Sequence, residues 1–422
     1  MSAPNTSTTT TQIKRYDVVI IGAGSAGVTV AASLLKRQKD LAIAIIDPSD
    51  THDYQPGWTL VGGGVFSAES TRRKTKSVIP ECCSWYQKSA EQVDPHAQTV
   101  TLSDGASVGY SRLVVAPGLV LNWGAIKGLE ETLGQNGVTS NYRYDLAPYT
   151  RSLVQGLHRG KAVFSQPPMP IKCAGAPQKA MYLSSDYWRK ANRLKDIDVS
   201  FRLAGNVLFG VEDYVPALQH YIDLYGIDVG FGEQLASVDG ANRTATFLRA
   251  TSEGGQEEIE VNFDMLHAVP PQNAPAFIEK SGLANSGGWL DLDHETLQHA
   301  HFSNIFGLGD ASGTPNAKTM AAVRKQAPVV AENLLASLHD QPLRAAYLGY
   351  GSCPLTVERG RIVLAEFGYG GALQPTFPKW VNDGTKATKQ AWFLKTKQLP
   401  WIYWNGMLKG REWLAKPAER QS

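Results

Sequence analysis

Tyr16-Asp17-Val18-Val19-Ile20-Ile21-Gly22-Ala23-Gly24-Ser25-Ala26-Gly27 is the stretch on which the fold turns. Its first six residues form a short run rich in β-branched side chains, the pattern of a parallel strand buried on both faces. Gly22, Gly24 and Gly27 follow at once in GxGxxG spacing, and an Ala/Leu-rich helical pattern runs from Ser25 to about Lys36. A second apolar strand, Ala42 to Ile46, ends in Asp47. Strand, glycine turn, helix and strand make one βαβ unit. In that setting the first glycine permits the tight turn, the second lets backbone approach a pyrophosphate, and the third lets helix and strand pack closely. The helix N-terminus offers unpaired N–H groups to the phosphates. Asp47, 20 residues beyond Gly27, is placed to bind the ribose hydroxyls of an adenosine. A dinucleotide site is therefore predicted at Gly22, Gly24, Gly27 and Asp47.

Far along the chain, Phe306-Gly307-Leu308-Gly309-Asp310 delivers a second acid at the end of an apolar strand, ahead of a helix expected over roughly Lys318 to Leu335. An acid so placed can reach a ribityl hydroxyl, which tilts the dinucleotide toward FAD. Residues 161–270 read as a second α/β unit inserted between two halves of the first. The expected fold class is α/β, with two Rossmann-like dinucleotide-binding-type domains and a C-terminal membrane-associating helical region. Its divisions are 14–160, 161–270, 271–340 and 341–422. The second unit lacks a fingerprint. After its first strand the chain reads Gln166-Pro167-Pro168-Met169-Pro170-Ile171-Lys172-Cys173-Ala174-Gly175-Ala176-Pro177-Gln178-Lys179, one glycine among four prolines. Proline has no N–H to give a phosphate and cannot adopt positive φ. The electrons should come from a donor smaller than a second nucleotide.

The 422 residues are 43% hydrophobic and 19% charged, which excludes wholesale disorder, and the length suggests about three domains. A net charge of +2 gives no nucleic-acid footprint. No run of 18 apolar residues exists to cross a bilayer. Residues 1–12 are polar and uncharged, unlike a signal peptide or a basic presequence. No metal site is expected. Four cysteines are too few for a disulfide framework but enough for one redox pair. Cys173 lies between Lys172 and Lys179, cations that favour a thiolate. Cys353 lies in a Gly/Pro-flanked loop, and the two are either a reactive pair facing one flavin or ordinary buried cysteines. The adjacent Cys82 and Cys83 read as structural.

From Tyr16 to about Trp413 the chain resembles the sulfide:quinone oxidoreductases of the flavodisulfide reductase group, especially the subgroup that includes the mitochondrial enzyme. The marks are Asp53-Tyr-Gln-Pro-Gly-Trp58, Ile171-Lys-Cys173-Ala-Gly-Ala-Pro-Gln-Lys179, Gly309-Asp310 with Pro315-Asn-Ala-Lys318-Thr319, Tyr350-Gly-Ser-Cys353-Pro354, Leu364-Ala-Glu366-Phe367, and Trp401-Ile-Tyr403-Trp404-Asn405. The resemblance implies that Cys173 and Cys353 flank a noncovalent FAD held by Gly22, Gly24, Gly27, Asp47, Gly309, Asp310 and Lys318. Hydrogen sulfide would open a bridge between the cysteines, leaving a persulfide on Cys353 and a thiolate on Cys173. Sulfite, glutathione, cyanide or a second sulfide would take the outer sulfur, and ubiquinone or menaquinone the electrons. Lys318 would stabilise negative charge on the flavin. Glu366 and His52 are candidates for proton relay or loop positioning.

Phe367, Trp392, Phe393, Trp401 and Trp404 mark a quinone and membrane region. From Trp380 onward, eight basic residues face three acidic ones, and five of the ten tryptophans occur there. Trp401, Trp404 and Leu408 are expected to share one helix face lying on lipid, separable from the flavin domain. The expected place is the surface of a bacterial cytoplasmic membrane in preference to the mitochondrial inner membrane. Rival readings are a type II NADH:quinone dehydrogenase-like flavoenzyme, a haem-linked sulfide dehydrogenase and a non-catalytic flavin redox sensor. Homo-oligomerisation is left open.

Overall fold

Alternate side chains of strand β1 (Lys14–Ile21) enter two different cores, which explains its unbroken apolar run. Val18 and Ile20 meet Val28, Val30 and Leu34 of helix α1 (Ser25–Arg37), while Val19 and Ile21 pack on the opposite face. On either side, β1 pairs in parallel with β2 (Ile43–Ile46) and β3 (Ser107–Val115), in register Val18↔Ile43 and Ile21↔Val115. The sheet has seven strands, Ser84–Tyr86 forming one edge. The structure, a computed structural model, describes residues 13–251 and 253–420. The polar stretch 1–12 lies outside them.

A second sheet is built on β4 (Gly160–Gln166), with Val138–Thr139, Ile197–Leu203, Asp228–Phe231 and Met265–His267 all parallel. It recruits Val138–Thr139 from ahead of position 160. Helix α2 (Ala176–Lys190) follows β4, and a three-stranded antiparallel sheet spans residues 233–262. The chain then returns to the first sheet as β5 (Ile305–Gly307), pairing with β3 in register Ile305↔Leu113. Helix α3 (Met320–Leu338) starts ten residues beyond Asp310 and is capped by Thr319, whose hydroxyl accepts from the Ala322 N–H at 3.2 Å. Asp310 thus closes the strand without capping the helix, and the loop 311–319 lies between them.

The C-terminal region divides between the two cores. The hairpin β6 (Gly351–Glu358) and β7 (Arg361–Phe367) buries Cys353, Leu355, Val363 and Ala365 with Phe164, Tyr182 and Phe201 of the second unit. The tail runs helically from Lys389 through a π turn (Leu394–Gln398) into α4 (Leu399–Asn405). Here the expected shared face fails. Trp404, Met407 and Leu408 are buried in the first core beside α1 and α3, whereas Trp401 is 54% exposed. The helix has only seven residues and stops at Gly406, so Leu408 belongs to a separate turn. The apolar side chains close a core, and the tail is not a detachable appendage. Among the described residues no helix is long and apolar enough to cross a membrane.

Candidate active site

The glycine turn between β1 and α1 shows which of its residues serve the fold and which leave room for a ligand. A Cβ on Gly22 would stand 2.3 Å from the Ala116 carbonyl, and one on Gly27 1.8 Å from the Gly22 carbonyl. At Gly24 a Cβ would meet nothing within 4 Å. Packing therefore dictates the outer two glycines, while the middle one faces open space at the start of a helix with unpaired N–H groups. The Asp47 carboxylate accepts from the Ala23 N–H at 2.6 Å and the Ser49 N–H at 2.8 Å, which holds it at the turn. From β5, Gly309 takes a positive φ of 80° and its N–H donates to Gln326 at 3.0 Å, setting Asp310 beyond the strand end. Burial pushes the Asp310 carboxyl up, against the opposing charges of Lys172 and Lys318. The buried donors Trp58 Nε1 and Gln272 Nε2 have no protein partner. Open space, free donors and one acid from each of two distant segments fit an extended dinucleotide such as FAD.

Cys173 lies just ahead of α2 with φ 49°, a left-handed conformation that costs a non-glycine residue about 1–2 kcal/mol. Hydrogen bonds hold it there. Its N–H donates to the Lys318 carbonyl at 2.8 Å, its carbonyl accepts from the Ala176 N–H at 2.7 Å, and Tyr142 Oη donates to the Lys172 carbonyl at 3.0 Å. The Lys172 N–H is taken by Gln272 Oε1 at 2.8 Å. β6 presents Cys353 to the core against which Cys173 packs, where a Cβ on Gly175 would stand 3.9 Å from the Cys353 Cβ, so the structure brings together two residues 180 positions apart. Both are free thiols. The neighbouring Cys353 holds the Cys173 thiol well below its usual value against burial, aided by the charges of Lys179 and Lys395. Lys179 Nζ is 3.0 Å from Cys173 Sγ. Conversely, the neighbouring Cys173 and burial push the Cys353 thiol well up. Of the two, Cys173 is the more readily ionised.

Residues 16–154 match the pattern of the Pyridine nucleotide-disulphide oxidoreductase family. The mitochondrial sulfide:quinone oxidoreductase of Dictyostelium discoideum is 39% identical over 94% of this chain and 87% of its own length. That of Mus musculus is 36% identical over the same shares. The chain belongs to the sulfide:quinone oxidoreductase family. The solved sulfide:quinone oxidoreductase of Aquifex aeolicus shares the fold at TM-score 0.75 and 20% identity, covering 93% of this chain and 92% of that one. The two eukaryotic relatives are mitochondrial, which overturns the preference for a bacterial membrane. Twelve polar residues carry little weight against likeness along nearly the whole chain, and a mitochondrial home is at least as well supported.

Of the remaining predicted residues of this sulfide:quinone oxidoreductase family member, Lys318 sits beside Cys173 and Asp310 and the others are dispersed. The Lys318 ammonium donates to the Ser312 carbonyl at 2.7 Å and lies 4.0 Å from the Trp289 ring, and burial draws its pKa down to about 8. Glu366 is buried and accepts from Tyr350 Oη at 2.6 Å and the Thr376 N–H at 3.1 Å. Phe367 packs edge-on against Phe209, Trp392 is half-buried and Phe393 is 56% exposed. Cys82 is exposed, while burial pushes the half-buried Cys83 thiol up to about 12. Sequence reasoning missed Lys395, which it counted among surface charges. Its Nζ is buried, donates to the Pro56 carbonyl at 3.1 Å and is drawn down to about 7, first by burial and then by Lys179. No local signal separates it from its lysine neighbours; the π turn at Leu394–Gln398 turns it inward.

Proposed function

We propose that this chain oxidises hydrogen sulfide and passes the two electrons to a membrane quinone, with Cys173 and Cys353 as its catalytic residues. The observation that carries the assignment is that both cysteines pack in one core, with the Lys179 ammonium 3.0 Å from Cys173 Sγ. FAD, held noncovalently by Gly22, Gly24, Gly27, Asp47, Gly309 and Asp310, supplies a two-electron relay between sulfur and quinone.

The chain's own part begins with the cysteines joined. Sulfide attacks Cys353 Sγ, the S–S bond breaks, and Cys173 leaves as the thiolate that Lys179 and Lys395 stabilise. Cys353 now carries a persulfide. A small nucleophile, such as sulfite, glutathione, cyanide or a second sulfide, attacks its outer sulfur, and Cys353 leaves as a thiolate. Re-pairing of the two cysteines releases two electrons, which reach ubiquinone or menaquinone through the cofactor. A thiolate at Cys173 also makes it the better leaving group, which supports placing the persulfide on Cys353.

The stretch after β4 supports a small donor in place of NADH. Pro167, Pro168 and Pro170 have no N–H, and those of Lys172 and Cys173 are already spent on Gln272 and Lys318. For the membrane, the supporting feature is a set of exposed apolar side chains on the tail: Trp380 at 87%, Phe393 at 56%, Trp401 at 54% and Leu414 at 69%. Trp401 and Trp413 stack with ring centroids 5.9 Å apart. Aromatic rings of this kind favour the headgroup layer, where a lipid-soluble quinone is reached. Serine in place of Cys173 tests the assignment: sulfide should then leave the flavin oxidised, and normal bleaching would refute it.

A further inference from the structure

We infer that the tail residues 401–413 latch the dinucleotide loop, and that the Tyr403 hydroxyl governs how long FAD is retained. The inference rests on the assignment of the loop to FAD. Three segments meet at a buried chain of hydrogen bonds. Ser25 Oγ lies 2.8 Å from Tyr403 Oη, Tyr403 Oη lies 2.5 Å from His52 Nε2, and His52 Nδ1 lies 2.9 Å from the Ala23 carbonyl. His52 and Tyr403 are 3% and 1% exposed.

The chemistry of the groups fixes the direction of every proton. A carbonyl only accepts, so His52 Nδ1 carries the proton and donates to Ala23. Burial lowers the His52 pKa and keeps the ring neutral, leaving Nε2 as an acceptor. Tyr403 must then donate to Nε2, and Ser25 must donate to Tyr403. Both polar atoms of the Ala23 backbone are thereby fixed, the N–H on Asp47 and the carbonyl on His52. Ser25, the first residue of α1, is pinned by its side chain. The loop is preorganised, with its free N–H groups turned to the open space at Gly24.

The same tail grips the other end of α1. Glu412 pairs with Arg37 at 2.6 Å and Lys36 at 2.9 Å, and Arg37 also meets Glu332 of α3 at 2.7 Å. Tyr403 is a positioning residue: it acts on the cofactor through Ser25 and His52. Without its hydroxyl, Ser25 and His52 lose their shared partner and the loop gains alternative conformations that bind phosphate less well.

The test uses flavin-loaded protein diluted into flavin-free buffer, with the return of free-flavin fluorescence as the readout. Tyr403→Phe keeps the ring and removes only the hydroxyl. Flavin should leave this variant about tenfold faster than wild type, the effect of one lost buried hydrogen bond. Ser25→Ala should also speed release, and the Ser25→Ala, Tyr403→Phe double variant should release no faster than the faster single one. Release from Tyr403→Phe at the wild-type rate would overturn the latch alone, as would single effects that multiply in the double variant. Protein that purifies without flavin would overturn the cofactor assignment along with it.

Discussion

At Cys173, the neighbouring Cys353 and nearby cations favour the charged sulfur against the loss of water. Lys179 is the nearest cation; burial would lower its pKa, but the Cys173 and Cys353 sulfurs hold it above the ordinary lysine value. Replacing Lys179 with Met should raise the titration of Cys173 by about 1–3 pH units, the effect of an opposite charge at this range. Alkylation by iodoacetamide as a function of pH reads it directly. Lys395, at about 7, should set the upper side of the profile. Its charge is present below about pH 7 and lost above, so its help to the thiolate fades as pH rises. Lys395→Met should flatten that limb. Serine at Cys173 or at Cys353 should each abolish flavin reduction by sulfide, whereas serine at Cys82 or Cys83 should leave most of it. Loss at Cys82 equal to that at Cys173 would show that the wrong pair has been chosen. Cys173 and Lys179 were legible from residue type and spacing, whereas the pairing of Cys173 with Cys353 came from the family resemblance, because nothing local joins positions 180 apart. Lys395 was not, because its burial depends on a turn of the helix and on neighbours over 200 positions away in sequence.

Elements whose signals are local could be read from the chain alone. β1, the glycine turn, α1 and β2 occupy 33 consecutive positions, and each step constrains the next. The tail misled for the opposite reason. Tyr403 is joined to Ser25 across 378 positions, and nothing near Trp404 shows whether an aromatic ring closes a core or rests on lipid. The structure divides them: Tyr403 and Trp404 inward, Trp401 and Trp413 outward. Two outcomes follow. Truncation near Val381 removes Tyr403, Trp404, Met407 and Leu408 from the first core, so the product should lose FAD and aggregate. Soluble, yellow truncated protein would refute this packing. Serine at both Trp401 and Trp413 removes exposed rings only, and co-sedimentation with anionic liposomes should fall about tenfold, as expected for roughly 1.4 kcal/mol of lost apolar contact.

For the whole molecule, the strongest acid liability outside the site is His267, fully buried in the second sheet, where burial draws its pKa down to about 4. Its Nε2 accepts from the Asn141 N–H at 2.9 Å. The folded value lies below the unfolded one, so its stabilising contribution is complete above about pH 6.5. That contribution is lost as pH falls toward 4, by about 3 kcal/mol. Urea unfolding across that range should show the decline in wild type and a flatter one in His267→Gln. Around this frame, a mixed seven-stranded sheet and a parallel five-stranded one bring residues from distant segments together. On the proposed function, a flavin there takes electrons from the cysteine pair while the tail meets the bilayer. The most direct test of that account is anaerobic rapid mixing of the flavin-loaded protein with sulfide and, separately, with NADH, followed by flavin absorbance. Sulfide should bleach the flavin quickly, and a soluble quinone should restore the colour, while NADH should leave it oxidised on that timescale. Bleaching by NADH at a comparable rate, or none by sulfide, would contradict it.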